Sequence, residues 1–327
     1  MYTIQQLQTI IAEKIQKEAD RIGATEPLNL YHPVSYTLNM GGKRLRPVMA
    51  LLAYNMFRDD IEKAFPAALA IEIFHNFTLL HDDIMDCADM RRGQPVVHKK
   101  FSENAAILSG DAMSILAYQY ILQTELPDIR QVTQLFSQTA IEICEGQQYD
   151  MDFETRMDVT IGEYLEMIRL KTAVLLACSL KAGALAAGAD QPVADSLYEF
   201  GINLGMAFQL QDDLLDVFAD EEKFGKTIGG DITTNKKTFL LLKALELAKE
   251  KTKQQLLGWI TAKRFDISEK IDAVRKIYSE LNIQQITQNE IEAFYKAAMK
   301  NLDELAVPQD RKNGLVSLSE MMMKRDH

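Results

Sequence analysis

Three observations predict an all-α fold for this chain of 327 residues. Apolar residues recur three and four apart almost throughout, and no segment shows the period-two alternation of a strand. Proline is scarce at eight residues and glycine modest at sixteen. The helical stretches are joined by short connections, so their apolar stripes must be buried against one another in a bundle. No Pro/Gly/Ser-rich linker, repeat or low-complexity tract divides the chain, and 47% hydrophobic residues suffice for one large core. The expectation is a single domain over residues 1–327.

Taken in order, the periodicity predicts helices over 3–22, 44–57, 61–86, 104–124, 128–150, 160–187, 192–217, 235–250, 252–263, 267–280, 286–303 and 314–325. The first is amphipathic and carries acids and amides, with no basic segment ahead of an apolar run, so it is not a signal peptide. Thr160 and Glu163 form a capping box that opens the 160–187 helix. Pro27, Pro95 and Pro192 mark loops or helix starts. The most apolar run, Ala173 to Ala189, is short and contains Lys181, which makes it a buried helix and not a membrane span.

A net charge of −11 argues against nucleic acid or an anionic membrane as partner. It would also repel an anionic substrate, so any phosphate must be held by local cations. The three cysteines, Cys87, Cys144 and Cys178, lack zinc-site spacing and suit packing in a reducing, cytoplasmic compartment.

Two acidic runs stand out: Asp82-Asp83-Ile84-Met85-Asp86 and Asp212-Asp213-Leu214-Leu215-Asp216. Both read DDxxD near the C-terminal end of an apolar helix. Residues four apart on a helix are neighbours on one face, about 6 Å apart. Asp82 and Asp86 therefore project together, as do Asp212 and Asp216, and like charges so placed repel unless a cation lies between them. Hard divalent ions fit oxygen donors, magnesium first because it bridges carboxylates to substrate phosphates. Glu72 and His75 make Glu-x-x-His, a di-iron pattern, but a di-iron bundle needs that motif twice and the chain has it once. His75 lies seven residues before Asp82 and shares its helical face.

The motifs and their order resemble the trans-isoprenyl diphosphate synthases of the polyprenyl synthetase family. The first acidic run continues to an RRG, as DDIMDCADMRRG. The second reads FQLQDDLLD followed by FGKTIGGD. GGKRLRP spans Gly41 to Pro47, GQQYD spans Gly146 to Asp150, and a Lys-Thr pair stands at Lys171 and Thr172. The matches run from residue 41 to about 240.

That resemblance implies the isoprenoid synthase fold, a large antiparallel bundle around a central active-site cavity with the two acidic runs facing each other across its mouth. It implies a homodimer, and condensation of isopentenyl diphosphate with dimethylallyl, geranyl or farnesyl diphosphate. Three magnesium ions are implied, with manganese as a substitute. Asp82, Asp86 and Asp212 would be the first ligands; Asp83, Asp213 and Asp216 would ligate or orient metal-bound water. Arg91, Lys171, Lys226 and Lys236 would clamp the allylic diphosphate. The family has Gly-Lys where this chain has Asn235-Lys236, which leaves that loop's geometry open. Lys43, Arg46, His75 and Arg92 would hold isopentenyl diphosphate. Thr172, Gln209 and Phe208 would steady the carbocation, and the released diphosphate would take the proton.

Product length in the family depends on residues five and eight before the first motif, here Phe77 and Phe74. With Thr78 beside them, two rings should stop elongation at C15 or C20. Two other readings compete. A class I terpene cyclase also uses DDxxD, but pairs it with an Asn/Ser/Glu motif and has no need of Lys43, Arg46 and Arg92. A non-catalytic subunit of a heteromeric synthase would be expected to lose motif residues, which are intact here.

Overall fold

The computed structural model describes residues 2–126, 129–219 and 229–324. Contacts divide the chain into two compact units. The first contains Met1–Gln138, Leu175–Tyr198 and Leu305–Val316; the second contains Thr139–Val174, Glu199–Glu304 and Ser317–His327.

In the first unit α1 (Ile4–Gly23) opens with the capping pair Thr3–Gln6 and buries Leu7, Ile11, Ile15, Ala19 and Ile22, a single stripe, against α2 (Leu28–Asn39). The sequence periodicity predicts no helix between 22 and 44, and α2 was missed there. Pro27 precedes the helix, and Pro33 sits within it. A proline there withholds the N–H that would bond the Asn29 carbonyl, a local cost that the packing of α2 must outweigh. The next helix, α3 (Leu45–Asn55), is buried from Pro47 to Asn55. A 3₁₀ turn (Ile61–Ala64) leads into α4 (Phe65–Met85), which ends in Asp86 as its C-cap. Thus the first acidic run does close a helix. A two-residue hairpin follows, β1 (Met90–Arg91) against β2 (Gln94–Pro95), too short for alternation to reveal. The short α5 (Val97–Lys100) and then α6 (Glu103–Ile121) complete this stretch, and α6 packs along α4.

From Thr139 onward α7 (Ile129–Thr155) lies in the second unit. The predicted 160–187 helix is correct in extent but not uniform. It comprises α8 (Ile161–Ile168), a π-helical segment (Arg169–Ala173) and α9 (Val174–Ala186). The Thr160–Glu163 box caps α8, with Thr160 N donating to Glu163 Oε2 at 2.8 Å and Glu163 N to Thr160 Oγ1 at 3.2 Å.

The remaining helices are α10 (Gln191–Phe218), α11 (Gly230–Thr234), α12 (Phe239–Leu247), α13 (Glu250–Thr261), α14 (Ile267–Glu280), α15 (Ile283–Asp303) and α16 (Gln309–Met323). The predicted 235–250 helix starts later, at Phe239, because Asn235 adopts a left-handed conformation that ends α11. The second unit's core gathers Tyr164, Met167, Leu210, Leu214, Phe239 and Tyr278. Among the described residues no helix is long and apolar enough to cross a membrane.

Candidate active site

The first unit carries a cluster of guanidiniums. The RRG sequence forms the hairpin turn between β1 and β2. Arg92 and Gly93 both have positive φ, 51° and 73°, as a two-residue type I′ turn demands. That turn lays the Arg92 guanidinium on the glycine loop, where it donates to the Gly41 carbonyl. A Cβ on Gly42 would stand 2.8 Å from Arg92 Cζ and displace the guanidinium, and the φ of 125° there favours glycine as well. Arg46 Nη1 lies 3.2 Å from His75 Nε2. Burial and then the charges of Arg46, Arg92, Arg91 and Arg44 hold the His75 pKa well below the usual histidine value. A neutral imidazole amid guanidiniums leaves the local charge strongly positive, which suits an anion. Lys43 is exposed on the same loop.

The motif's other arginine, which sequence reasoning left unassigned, organises this loop. Arg44 has φ 50° and turns inward, placing Nη1 2.5 Å from Glu72 Oε1 and Nη2 2.6 Å from the Leu38 carbonyl. Glu72 is 2% exposed. The Glu72-x-x-His75 pair thus splits its tasks: Glu72 anchors the loop and His75 meets Arg46.

At the end of α4 the aspartates differ. Asp86 is exposed and Asp82 partly exposed, whereas Asp83 is buried. Arg91 Nε donates to both Asp83 oxygens, at 2.8 and 2.9 Å, while its Nη2 lies 3.7 Å from Asp82. Asp83 therefore holds the RRG hairpin to α4. On the adjacent stripe of α4, rings form a chain: Phe77 is 4.8 Å from His81 and 5.3 Å from Phe74, and Phe74 is 5.1 Å from Phe136. Tyr118 continues it at 5.1 Å from Phe136. Phe136 and Tyr118 had no local sequence signal, since they come from other helices. Thr78 Oγ1 is turned to the His75 carbonyl at 2.8 Å.

In the second unit a small cleft of about 50 Å³ is lined by Asp150, Lys171, Thr172, Gln209, Asp213 and Lys236, among others. Five of the predicted residues meet there, Lys171, Thr172, Gln209, Asp213 and Lys236. Lys171 and Thr172 lie in the π-helical segment, a local widening found frequently at functional sites. Gly146 makes room for it: a Cβ there would come within 2.4 Å of Lys171 N. Four residues on, Asp150 Oδ2 receives Lys171 Nζ at 2.6 Å. The GQQYD motif, for which the sequence suggested no task, therefore seats and orients Lys171. Gly146→Ala is expected to lower stability by about 1–3 kcal/mol through overpacking and to reduce kcat/KM at the same time. Thermal unfolding alongside steady-state kinetics checks both.

Gln209 and Thr172 belong to one hydrogen-bonded chain. Thr172 Oγ1 donates to Gln209 Oε1 at 3.0 Å, Gln209 Nε2 donates to Asp213 Oδ1 at 2.9 Å, and Tyr164 OH donates to Asp213 Oδ2. Burial pushes the Asp213 carboxyl up, against the pull of Lys236, Tyr164 and Gln209. Asp216 Oδ2 accepts the Asp231 amide at 2.9 Å, and Asp212 is exposed. Asp231, missed by the sequence reading although FGKTIGGD ends on it, is a further acid beside Lys236; burial raises its pKa as well. Burial also works against the Lys236 ammonium, but Asp213, Asp231, Asp150 and Asp212 outweigh it and hold the pKa above the usual lysine value. Phe208 is half-buried on α10. Lys226 lies outside the described residues.

Among the described residues no three His, Cys, Asp or Glu side chains form a ready-made metal cage. Partly exposed oxygens on successive helical turns instead suit hard cations that complete their shell with water or phosphate oxygens.

The polyprenyl synthetase family pattern matches residues 27–281. The chain belongs to the polyprenyl synthetase family. A geranylgeranyl diphosphate synthase of Methanosarcina mazei is 46% identical over 224 residues, 68% of this chain and 69% of that protein. A geranylfarnesyl diphosphate synthase of Natronomonas pharaonis is 41% identical, over 75% of this chain and 78% of its own length. The crystal structure of geranylgeranyl pyrophosphate synthetase from Pyrococcus horikoshii has a TM-score of 0.90 at 33% identity, covering 98% of this chain and 99% of its own. The all-α expectation holds, and this polyprenyl synthetase has the all-helical isoprenoid synthase fold.

The environment of His75 has a pH consequence. Its folded pKa is depressed, so the neutral form is favoured on folding. That stability is present above the unfolded value near 6.5 and is lost as pH falls below it, at up to about 1.4 kcal/mol per pH unit. Urea unfolding of wild type and His75→Gln between pH 5.5 and 7.5 should show a flatter profile for the variant. Parallel profiles would mean that His75 protonates as readily folded as unfolded.

Proposed function

We propose that this chain is a magnesium-dependent trans-prenyltransferase that condenses isopentenyl diphosphate with dimethylallyl, geranyl or farnesyl diphosphate. Its product would be a short all-trans prenyl diphosphate of C15–C20, with geranylgeranyl diphosphate (C20) foremost. The observation that carries this reading is the second anion site. Arg46, Arg92 and a neutral His75 make a cationic patch in the first unit, and Lys171 and Lys236 line a cleft of the second. A cyclase binds one diphosphate and needs one such site; a condensing enzyme needs two.

In this reading the allylic C–O bond ionises, the double bond of isopentenyl diphosphate attacks the cation, and a proton is then lost. Magnesium, when bound, neutralises charge building on the leaving diphosphate. Asp82, Asp86 and Asp212 are its proposed ligands, with Asp216 sharing its carboxylate between metal and the α11 amide. Asp83 is assigned to Arg91 and Asp213 to Tyr164 and Gln209, as orienting groups. Lys171, Lys236 and Lys226 hold the allylic diphosphate, as fixed cations that favour developing negative charge. Arg91 joins them once substrate competes with Asp83. Arg46, Arg92, His75 and Lys43 hold isopentenyl diphosphate. Thr172 and Gln209 present neutral oxygen dipoles to the cation, and the Phe208 ring adds its face. The released diphosphate accepts the proton, since no histidine or glutamate is among the described residues that line the cleft.

The whole chain would serve as one synthase domain, active as a cytoplasmic homodimer. Exposed Ile107, Leu108 and Ile115 on α6, and Leu122 just after it, support that assembly.

Incubating the purified chain with magnesium, isopentenyl diphosphate and each allylic primer, then sizing the products, tests the reading. Elongation to C15 or C20 is expected, and failure with every primer would overturn it. In the same assay Phe74→Ala/Phe77→Ala should lengthen the product by one or more C5 units. An unchanged distribution would assign both rings to packing with Phe136 and His81 alone.

A further inference from the structure

A buried lysine stands behind the loop that carries Lys236. Lys270, on α14, is 1% exposed. A buried ammonium must find acceptors to replace water. Its Nζ donates to Asn235 Oδ1 at 2.7 Å and to the Thr233 carbonyl at 3.3 Å, and lies 4.1 Å from the centre of the Phe265 ring. Both acceptors belong to one turn, the end of α11, directly before Lys236.

Asn235 there has φ 57° and ψ 34°, a left-handed conformation that side chains other than glycine take with strain. Its amide donates to the Ile232 carbonyl at 3.3 Å, and the Lys236 amide donates to the Asp231 carbonyl at 2.9 Å, so the turn stops α11 and sets the direction of Lys236. We propose that Lys270 is a positioning residue for Lys236. Its bond to the Asn235 side chain locks the left-handed turn, doing with a hydrogen bond what glycine does with conformational freedom. The ammonium of Lys236 is thereby held in the cleft beside Asp150 and Asp213. The inference rests on Lys236 contacting the allylic diphosphate.

Full-length Lys270→Met, Asn235→Ala, Asn235→Gly/Lys270→Met and Lys236→Ala are compared by steady-state kinetics, varying each diphosphate in turn, together with thermal unfolding. Lys270→Met and Asn235→Ala should raise KM for the allylic diphosphate on the order of tenfold to a hundredfold. KM for isopentenyl diphosphate should stay within about twofold, because the displaced group serves only one substrate. The Gly/Met double variant should recover most of the loss, since glycine takes the turn unaided and no buried charge is left behind. Were Lys270→Met not to fold, Asn235→Ala carries the same expectation.

A Lys236→Ala defect on the allylic KM with none in Lys270→Met would overturn the positioning role and leave the assignment of Lys236 standing. Parallel rises in both KM values, or no rescue in the double variant, would reduce Lys270 to a packing residue. No effect of Lys236→Ala on the allylic KM would remove the assignment of Lys236 and the proposal with it.

Discussion

Asp82→Ala and Asp212→Ala each lower kcat on the order of 10³-fold, with little change in the fold. In the proposed ligand roles, each carboxylate's loss would remove several kcal/mol of charge stabilisation at the leaving diphosphate, and each 1.36 kcal/mol is a factor of ten. Asp212 is exposed, and the Asp82 side chain is 20% exposed with its carboxylate 3.7 Å from Arg91 Nη2. Both acids also stand near the C-terminal end of a helix, where the backbone dipole disfavours negative charge and a like charge follows four residues later. Without metal the relief of that repulsion should offset the lost contacts, so that the alanine variants melt close to wild type. The signature is thus separable: activity falls while thermal stability holds. Asp83→Ala should instead lower stability, because it strands the Arg91 guanidinium. Near-normal kcat for Asp82→Ala and Asp212→Ala at saturating magnesium would remove both from the ligand set.

Glu72→Gln destabilises the protein by about 3–5 kcal/mol, the range for removing one partner of a buried ion pair. The Arg44 and Glu72 side chains are 8% and 2% exposed, so the uncompensated guanidinium cannot turn to water without moving the loop. Glu72 Oε1 also accepts Asn76 Nδ2 at 2.9 Å, which tightens the same turn of α4. Since Arg44 lies one residue from Lys43 and two from Arg46, binding of isopentenyl diphosphate should weaken with the fold. Denaturant unfolding gives the stability change, and KM for each diphosphate shows whether the loss is confined to one substrate. A cost under about 1 kcal/mol would mean that the pair is relaxed by water and does not anchor the loop.

The elements read most reliably were those with a long apolar period and an explicit end signal. Residues 267–280 were placed to the residue, and the Thr160–Glu163 box was correct because a cap is chemistry within four neighbouring residues. Where local and tertiary preferences conflict, reading failed. Pro33 lies inside α2, whose helix is held by packing on α1 and α6. The π-helical segment has no sequence period of its own and depends on how closely Gly146 lets another helix approach.

Within the candidate site the same division holds. The DDxxD runs stood out because like charges in apolar helices conflict with folding unless a ligand compensates them, whereas the arginine pair and the lysines came from the resemblance to the family motifs. Which aspartate orients and which faces solvent was not legible, since Asp83 and Asp213 differ from their neighbours only through Arg91 and Tyr164, brought there by other elements. By itself, then, the sequence determined the helical class, the family and the inventory of charged groups, all of which depend on residue type and short-range spacing. Only the tertiary structure decided that Arg44 belongs to Glu72, Lys171 to Asp150 and Asn235 to Lys270. Ion pairs and hydrogen bonds act over about 3 Å in space, whatever the distance along the chain.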